Sequence, residues 1–224
     1  MNIYNNKKTF FYSLKNNCKK EWLEYTEHKF LSDLVNSRLP DKNFKHYLVQ
    51  DYIFLQQFLK ILSLTAYKSK SFEEINRSID FIKGIDHEIK LHVNYCKKWK
   101  IPLNSLNNIT VEKANSAYTE HILNIGKSGD NFDIFTCLSP CIIGYGEIGY
   151  KLSKIKNWQK SKYSSWIKMY SSKEYQKVAK ENIVYLDTLF RTNKENNILK
   201  LKKYFKKSTI LERNFWQCFV NKEN

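Results

Sequence analysis

A chain of 224 residues with six glycines and three prolines has the length for a sizeable core in one domain, and its composition excludes a collagen-like, Gly/Pro-rich or short-stranded β architecture. Thirty-eight basic against 22 acidic residues give a net charge of +16, but the lysines are scattered along every amphipathic segment beside asparagine, as on solvated faces, so the charge by itself specifies no nucleic-acid binder. Five cysteines, at 18, 96, 137, 141 and 218, are odd in number and follow no framework spacing, which excludes a disulfide scaffold and points to a reducing compartment.

The elements follow in chain order, all of them helical. From Thr9 to about Val35, Phe10, Leu14, Cys18, Trp22, Tyr25 and Leu31 recur at three- and four-residue steps, which predicts one long amphipathic helix with His28, a packing or capping residue, near its end. After Leu39-Pro40-Asp41, a second helix from about Asn43 to Tyr67 is apolar nearly all round and should be central. Asp51 stands in the middle of that apolar surface, flanked by Leu48, Tyr52, Phe54 and Leu55. There it must be paired, bonded to a ligand, or on an exposed strip.

Ser71 and Glu74 have capping-box spacing and open a third helix reaching to about Trp99, with a bend at Gly84 as an option. Glu88 and His92, one turn apart on it, could form half of a di-iron site or a plain pairing within the helix; no second Glu-x-x-His motif accompanies them. A fourth helix, about Val111 to Gly126, carries Tyr118 and His121. Asn131 or Asp133 can cap the approach to the next stretch.

That stretch, Cys137 to Leu152, is the least ordinary in the chain: two thiols, a proline, three glycines, two tyrosines and one carboxylate. Three glycines inside a helical pattern cost about 1 kcal/mol each relative to alanine, so they need a packing or functional reason. Pro140 is expected to start a helix with Cys141 just inside it, where a helix N-terminus would lower a thiol pKa and make a nucleophile. A buried, inert thiol is the alternative. Tyr145, four residues on, shares the face of Cys141, and Glu147 follows.

A segment from Trp158 to Tyr170 comes next, then a helix opened by Ser171 and Glu174 and running to about Phe190, and a last helix from about Lys194 to Phe219, on which Glu212 and Phe215 share a face. The closest approach to a basic patch is Lys200, Lys202, Lys203, Lys206 and Lys207, with Tyr204 and Phe205 between them; no nucleic-acid motif joins it. Cys137 and Cys141 lack C-x-x-C spacing, so a zinc ribbon is not expected. No run approaches the roughly eighteen apolar residues of a membrane helix, and the first residues lack a signal-peptide core, so the expected place is the cytoplasm. The whole is expected to be all-α, a single domain over residues 1–224 with seven or eight helices.

Taken together, F-K-H-Y-L-V-Q-D-Y-I-F-L (44–55), E-I-K-L-H (88–92), A-Y-T-E-H (117–121), L-S-P-C-I-I-G-Y-G-E-I-G (138–149), Y-S-S-W-I-K-M-Y-S-S (163–172) and L-E-R-N-F-W (211–216) resemble the TenA/thiaminase II family, in the family's order over about residues 10–220. The resemblance implies a haem-oxygenase-like helical bundle, assembled as a homotetramer, that hydrolyses aminopyrimidines or thiamin in thiamin degradation and salvage with no metal or other cofactor. By the same resemblance Cys141 is the nucleophile, Glu212 the acid/base, and Asp51 a charged carboxylate that bonds the ring's amino group and nitrogen. Tyr118, Tyr145 and Tyr170 are pocket tyrosines and Phe215 a wall of the ring slot. Phe54 departs from the tyrosine many members have at that place, which removes a hydroxyl. The acid role asks for a Glu212 carboxyl held above the usual range by an apolar aromatic slot. Two other readings remain: an oxidoreductase of the same bundle class using haem through His28, iron through Glu88 and His92, or O2 with a quinone precursor; and a non-enzymatic basic binding protein.

Overall fold

In the computed structural model, residues 2–102, 109–193 and 197–220 are described. Ten α-helices are found among them and no strand, in this order: α1 Phe10–Asn17, α2 Lys19–Thr26, α3 Lys29–Val35, α4 Asp41–Lys68, α5 Phe72–Lys98, α6 Lys113–Ser128, α7 Asn131–Leu152, α8 Ser164–Ser171, α9 Lys173–Thr192 and α10 Ile198–Gln217. The eight helical segments expected from the sequence are all present, the first of them divided into three.

That division has no proline or glycine behind it. Cys18 (φ −128°, ψ 42°) and Glu27 (φ −124°, ψ 23°) leave the helical region, and His28 then caps α3, its Nδ1 accepting from the Phe30 amide at 3.1 Å. The apolar stripe continues across both breaks because Leu14, Trp22, Tyr25 and Leu31 are all buried against other helices. Packing, not a chain breaker, sets the bends.

Two compact units can be distinguished. In the unit formed by residues 40–134, α4 and α5 run as long neighbours. Ser71 caps α5 by accepting from the Glu74 amide at 3.2 Å, and Glu74 Oε2 accepts from the Lys70 amide. Gln50 ties α6 to α4: its Nε2 donates to the Thr110 carbonyl, its Oε1 accepts from the Glu112 amide, and Asn115 Nδ2 donates to its backbone carbonyl at 2.8 Å. The entry to α7 is a reciprocal cap, Asp130 Oδ1 accepting from the Asp133 amide and Asp133 Oδ2 from the Asp130 amide.

In the unit formed by residues 2–39 and 135–220, α7 is the axis. Glu147 is buried on it and accepts from Lys15 Nζ at 2.9 Å and Trp22 Nε1 at 3.1 Å, with Lys151 Nζ 3.2 Å away, which fastens α1 and α2 to α7. Burial lowers the pKa of Lys15, and the Glu147 charge opposes that. The glycines of this helix have a packing reason. A Cβ on Gly144 would lie 2.5 Å from the Tyr25 ring, and one on Gly149 would collide with the backbone of Tyr170 and Ser171. The cap of α9 is Ser172, accepting from the Tyr175 amide, one residue later than the spacing of Ser171 and Glu174 suggested. No helix of the described residues is long and apolar enough to cross a membrane.

Candidate active site

Pro140 does not start a helix. It lies inside α7, and Cys141 follows in mid-helix, about three turns from the N-terminus at Asn131. The expected help to the thiol from a helix N-terminus is therefore absent, because that effect is confined to the first turn. Proline removes the amide that would bond the Thr136 carbonyl, and Ser139 Oγ replaces it at 2.8 Å. One turn of α7 thus becomes side-chain supported directly before the half-buried Cys141. The Pro140 carbonyl accepts from Tyr25 Oη at 3.3 Å, which the missing side chain of Gly144 makes room for.

One turn on from Cys141, Tyr145 meets a cluster of rings: Tyr170 at 4.8 Å, Trp216 at 5.3 Å and Trp166 at 6.0 Å between centroids. Trp166 and Tyr170 of α8 touch at 4.6 Å, and Phe30 stacks on Trp216 at 4.6 Å. Trp216 is one turn on from Glu212 on α10. Cys141 and Glu212 are therefore each one helical turn from the two rings of the Tyr145–Trp216 contact. Glu212 is 1% exposed, and Phe215 is buried beside Phe219 at 5.0 Å. Five expected site residues, Cys141, Tyr145, Tyr170, Glu212 and Phe215, belong to this unit. Trp166, Trp216 and Tyr25 were not singled out in the sequence. The i, i+4 spacing of Glu212 and Trp216 was a usable signal.

Asp51, Phe54 and Tyr118 belong to the other unit. The Phe54 and Tyr118 rings stack at 4.9 Å and 28°, which brings α6 against α4. Asp51 is 4% exposed. Its Oδ2 accepts from Tyr47 Oη at 3.3 Å and faces His92 Nδ1 at 3.4 Å, while His92 Nε2 is 2.7 Å from the Leu48 carbonyl. Burial pushes the Asp51 carboxyl up to about 7, with the Tyr47 hydroxyl opposing, and pulls His92 down to about 4. Asp51 was expected to stay charged; desolvation of a carboxylate with one hydroxyl donor raises its proton affinity until acid and anion are comparable near neutrality.

The candidate metal pair is also resolved differently. His92 is engaged at both ring nitrogens as described, and His28 is a cap whose Nε2 meets Gln217 Oε1 at 3.1 Å. Among the described residues no group of three or more His, Cys, Asp or Glu side chains is placed to hold a metal ion. Cys137 is fully buried, and Cys218 at the end of α10 directs its thiol to the Asn214 carbonyl.

The model of the TENA/THI-4/PQQC family matches residues 15–222 of this chain. An aminopyrimidine aminohydrolase of Helicobacter pylori is 30% identical over 205 residues, covering 91% of this chain and 94% of that protein. One from Halalkalibacterium halodurans is 26% identical, over 95% and 96% of the two chains. Among solved structures, that of a TenA family transcription regulator from a Silicibacter species superposes with a TM-score of 0.87 at 30% identity, over 93% of this chain and 95% of that one.

Proposed function

The chain belongs to the TENA/THI-4/PQQC family, and from that membership we propose that it is a cysteine-dependent aminopyrimidine hydrolase of thiaminase II type. Its substrates are thiamin or the aminopyrimidine breakdown products of thiamin, and its product is a hydroxymethylpyrimidine for thiamin salvage. The protein works in the cytoplasm as a homotetramer.

Such a substrate carries its leaving group on a CH2 attached to the ring, and the group departs only once the ring is electron-rich. The Cys141 thiolate adds to the ring carbon beside a ring nitrogen, forming a C–S bond, while the Glu212 carboxylic acid protonates that nitrogen. The bond from the exocyclic carbon to the leaving group then breaks, the electron pair going to nitrogen, so that a thiazolium departs as neutral thiazole and an ammonium as the free amine. Water adds to the same carbon and gives up a proton to the departed amine or to solvent, and expulsion of the thiolate with return of the ring-nitrogen proton to the Glu212 carboxylate restores the aromatic ring. The aromatic side chains hold the ring so that sulfur meets one face. Asp51 binds the edge bearing the amino group.

The observation that supports this reading most is the pairing of positions across the Tyr145–Trp216 contact at 5.3 Å, with a half-buried thiol one turn from one ring and a buried carboxyl one turn from the other. The test is hydrolysis of aminomethylpyrimidine and of thiamin, with product identified by mass. Cys141→Ala is expected to abolish turnover with an unchanged circular dichroism spectrum. Glu212→Gln should depress kcat by about 100-fold or more while leaving pyrimidine binding within a few-fold. Full turnover by Cys141→Ala would remove the nucleophile, and equal losses in rate and binding for Glu212→Gln would make that carboxyl structural.

A further inference from the structure

His92 stands where Asp51 needs a partner, and its two nitrogens are not equivalent. A backbone carbonyl only accepts, so the 2.7 Å contact with Leu48 fixes the proton on Nε2. Nδ1 then turns its lone pair toward Asp51 Oδ2, 3.4 Å away. Two lone pairs cannot face each other in a buried site without a proton between them. Tyr47 also donates to Oδ2, so both polar neighbours converge on one oxygen. Oδ1 accepts no hydrogen bond among the described residues. The Tyr52 ring lies nearly parallel to the imidazole at 6.4 Å, and both Asp51 and His92 are about 95% buried, which holds the imidazole in this orientation.

We infer that His92 is a positioning and specificity-determining residue: it holds one shared proton on the Oδ2 side of Asp51 and so makes Oδ1 an obligate acceptor, which selects a ring bearing an amine N–H over one bearing an oxo group. An isolated carboxylic acid can exchange its proton between its two oxygens and receive either a donor or an acceptor. Pinned from one side by Nδ1, itself pinned by Leu48, Asp51 loses that freedom. Whether the proton rests on Oδ2 or on Nδ1, Oδ1 still lacks it. An oxo group at Oδ1 would bring two acceptors together, and a buried unsatisfied pair of that kind costs more than one hydrogen bond contributes. The other ionisable neighbour is Cys96 on α5, whose thiol burial pushes up to about 12 and which stays protonated.

The inference rests on the aminopyrimidine reading, and two measurements separate their fates. The first is calorimetric binding of 4-amino-5-(hydroxymethyl)pyrimidine and of its 4-oxo counterpart to the full chain. The wild type is expected to prefer the amine by about tenfold or more. His92→Phe, which keeps ring and volume but has no nitrogen, should bring the two affinities within about threefold, and His92→Gln, which keeps a polar neighbour for Oδ2, should fall between. The second is the 15N spectrum of His92 in the wild type, expected to report a protonated Nε2 with or without pyrimidine. Undiminished preference for the amine in folded His92→Phe or His92→Gln overturns the specificity role. A bare Nε2 with protonated Nδ1 overturns the pairing itself, whichever variants fold. Binding of neither pyrimidine by the wild type would remove the substrate class and the specificity role with it, while the spectrum still decides the pairing.

Discussion

At the scale of single residues, the buried Asp51–His92 pair makes an unusual prediction, because its two members are shifted in opposite senses. Asp51 moves from 3.8 to about 7, so between those values the folded chain holds a proton that the unfolded chain has released. On its own this makes stability fall as pH rises. His92 moves from 6.5 to about 4, so in the overlapping window the unfolded chain holds a proton that the folded one lacks, and stability rises with pH. Between about pH 4 and 6.5 each state of the pair holds one proton in total, and the two slopes cancel. Removing either member should unmask the other. Urea denaturation at pH 4.5, 5.5 and 6.5 is expected to show Asp51→Asn gaining stability with pH, and His92→Phe losing it, at up to about 1.4 kcal/mol per pH unit relative to wild type. Parallel pH profiles for all three proteins would mean that the pair does not titrate as described. Here the sequence was half legible: an aspartate amid apolar residues signalled a special environment, but its partner lies 41 positions away on another helix, and the same histidine read as a plain pairing with Glu88 within its own helix or as half of a metal motif. Single-chain spacing shows neighbours within one helix and is blind to a face supplied by another.

Within elements, α7 shows where pattern reading succeeds and where it stops. Its three glycines called for a packing or functional reason, and each of them has a packing one. Pro140 misled, since a proline is most at home at a helix start, yet Ser139 supplies the bond that its ring removes and the helix runs through. The N-terminal segment erred the other way, because continuous apolar periodicity with no breaker read as one helix where packing makes three. The close approach of α8 to α7 depends on Gly149, and a Cβ there would meet backbone, which cannot rotate aside. Gly149→Ala is therefore expected to destabilise the chain by about 3 kcal/mol and to lower Tm by roughly 6–12 °C despite the better helix propensity of alanine. Gly84 is the internal control. A Cβ there meets nothing within 4 Å, so Gly84→Ala should raise stability by about 1 kcal/mol. Thermal melts of the two variants shifting in the same direction would contradict this account.

For the molecule as a whole, charge and assembly pull against each other. The proposed tetramer would gather four chains of +16 into one particle, so its formation works against electrostatic self-repulsion that grows as the square of the charge. What favours it is apolar surface: Tyr67, Phe72 and Leu91 on the α4–α5 pair and Val184 on α9 are exposed. The two forces respond differently to salt. Screening shortens the reach of repulsion from about 30 Å at 0.01 M to about 8 Å at 0.15 M, while burial of apolar area is little affected over that range. Sedimentation at fixed protein concentration is therefore expected to give four times the 26.9 kDa chain mass at 0.3 M salt and a growing share of smaller species as salt is lowered to 0.01 M. A complex with a polyanion would behave oppositely, strengthening as salt falls, because released counterions favour it most in dilute electrolyte. The sign of the salt dependence thus separates a self-associating enzyme from a basic binding module, and a particle of single-chain mass at every salt concentration would refute the tetramer.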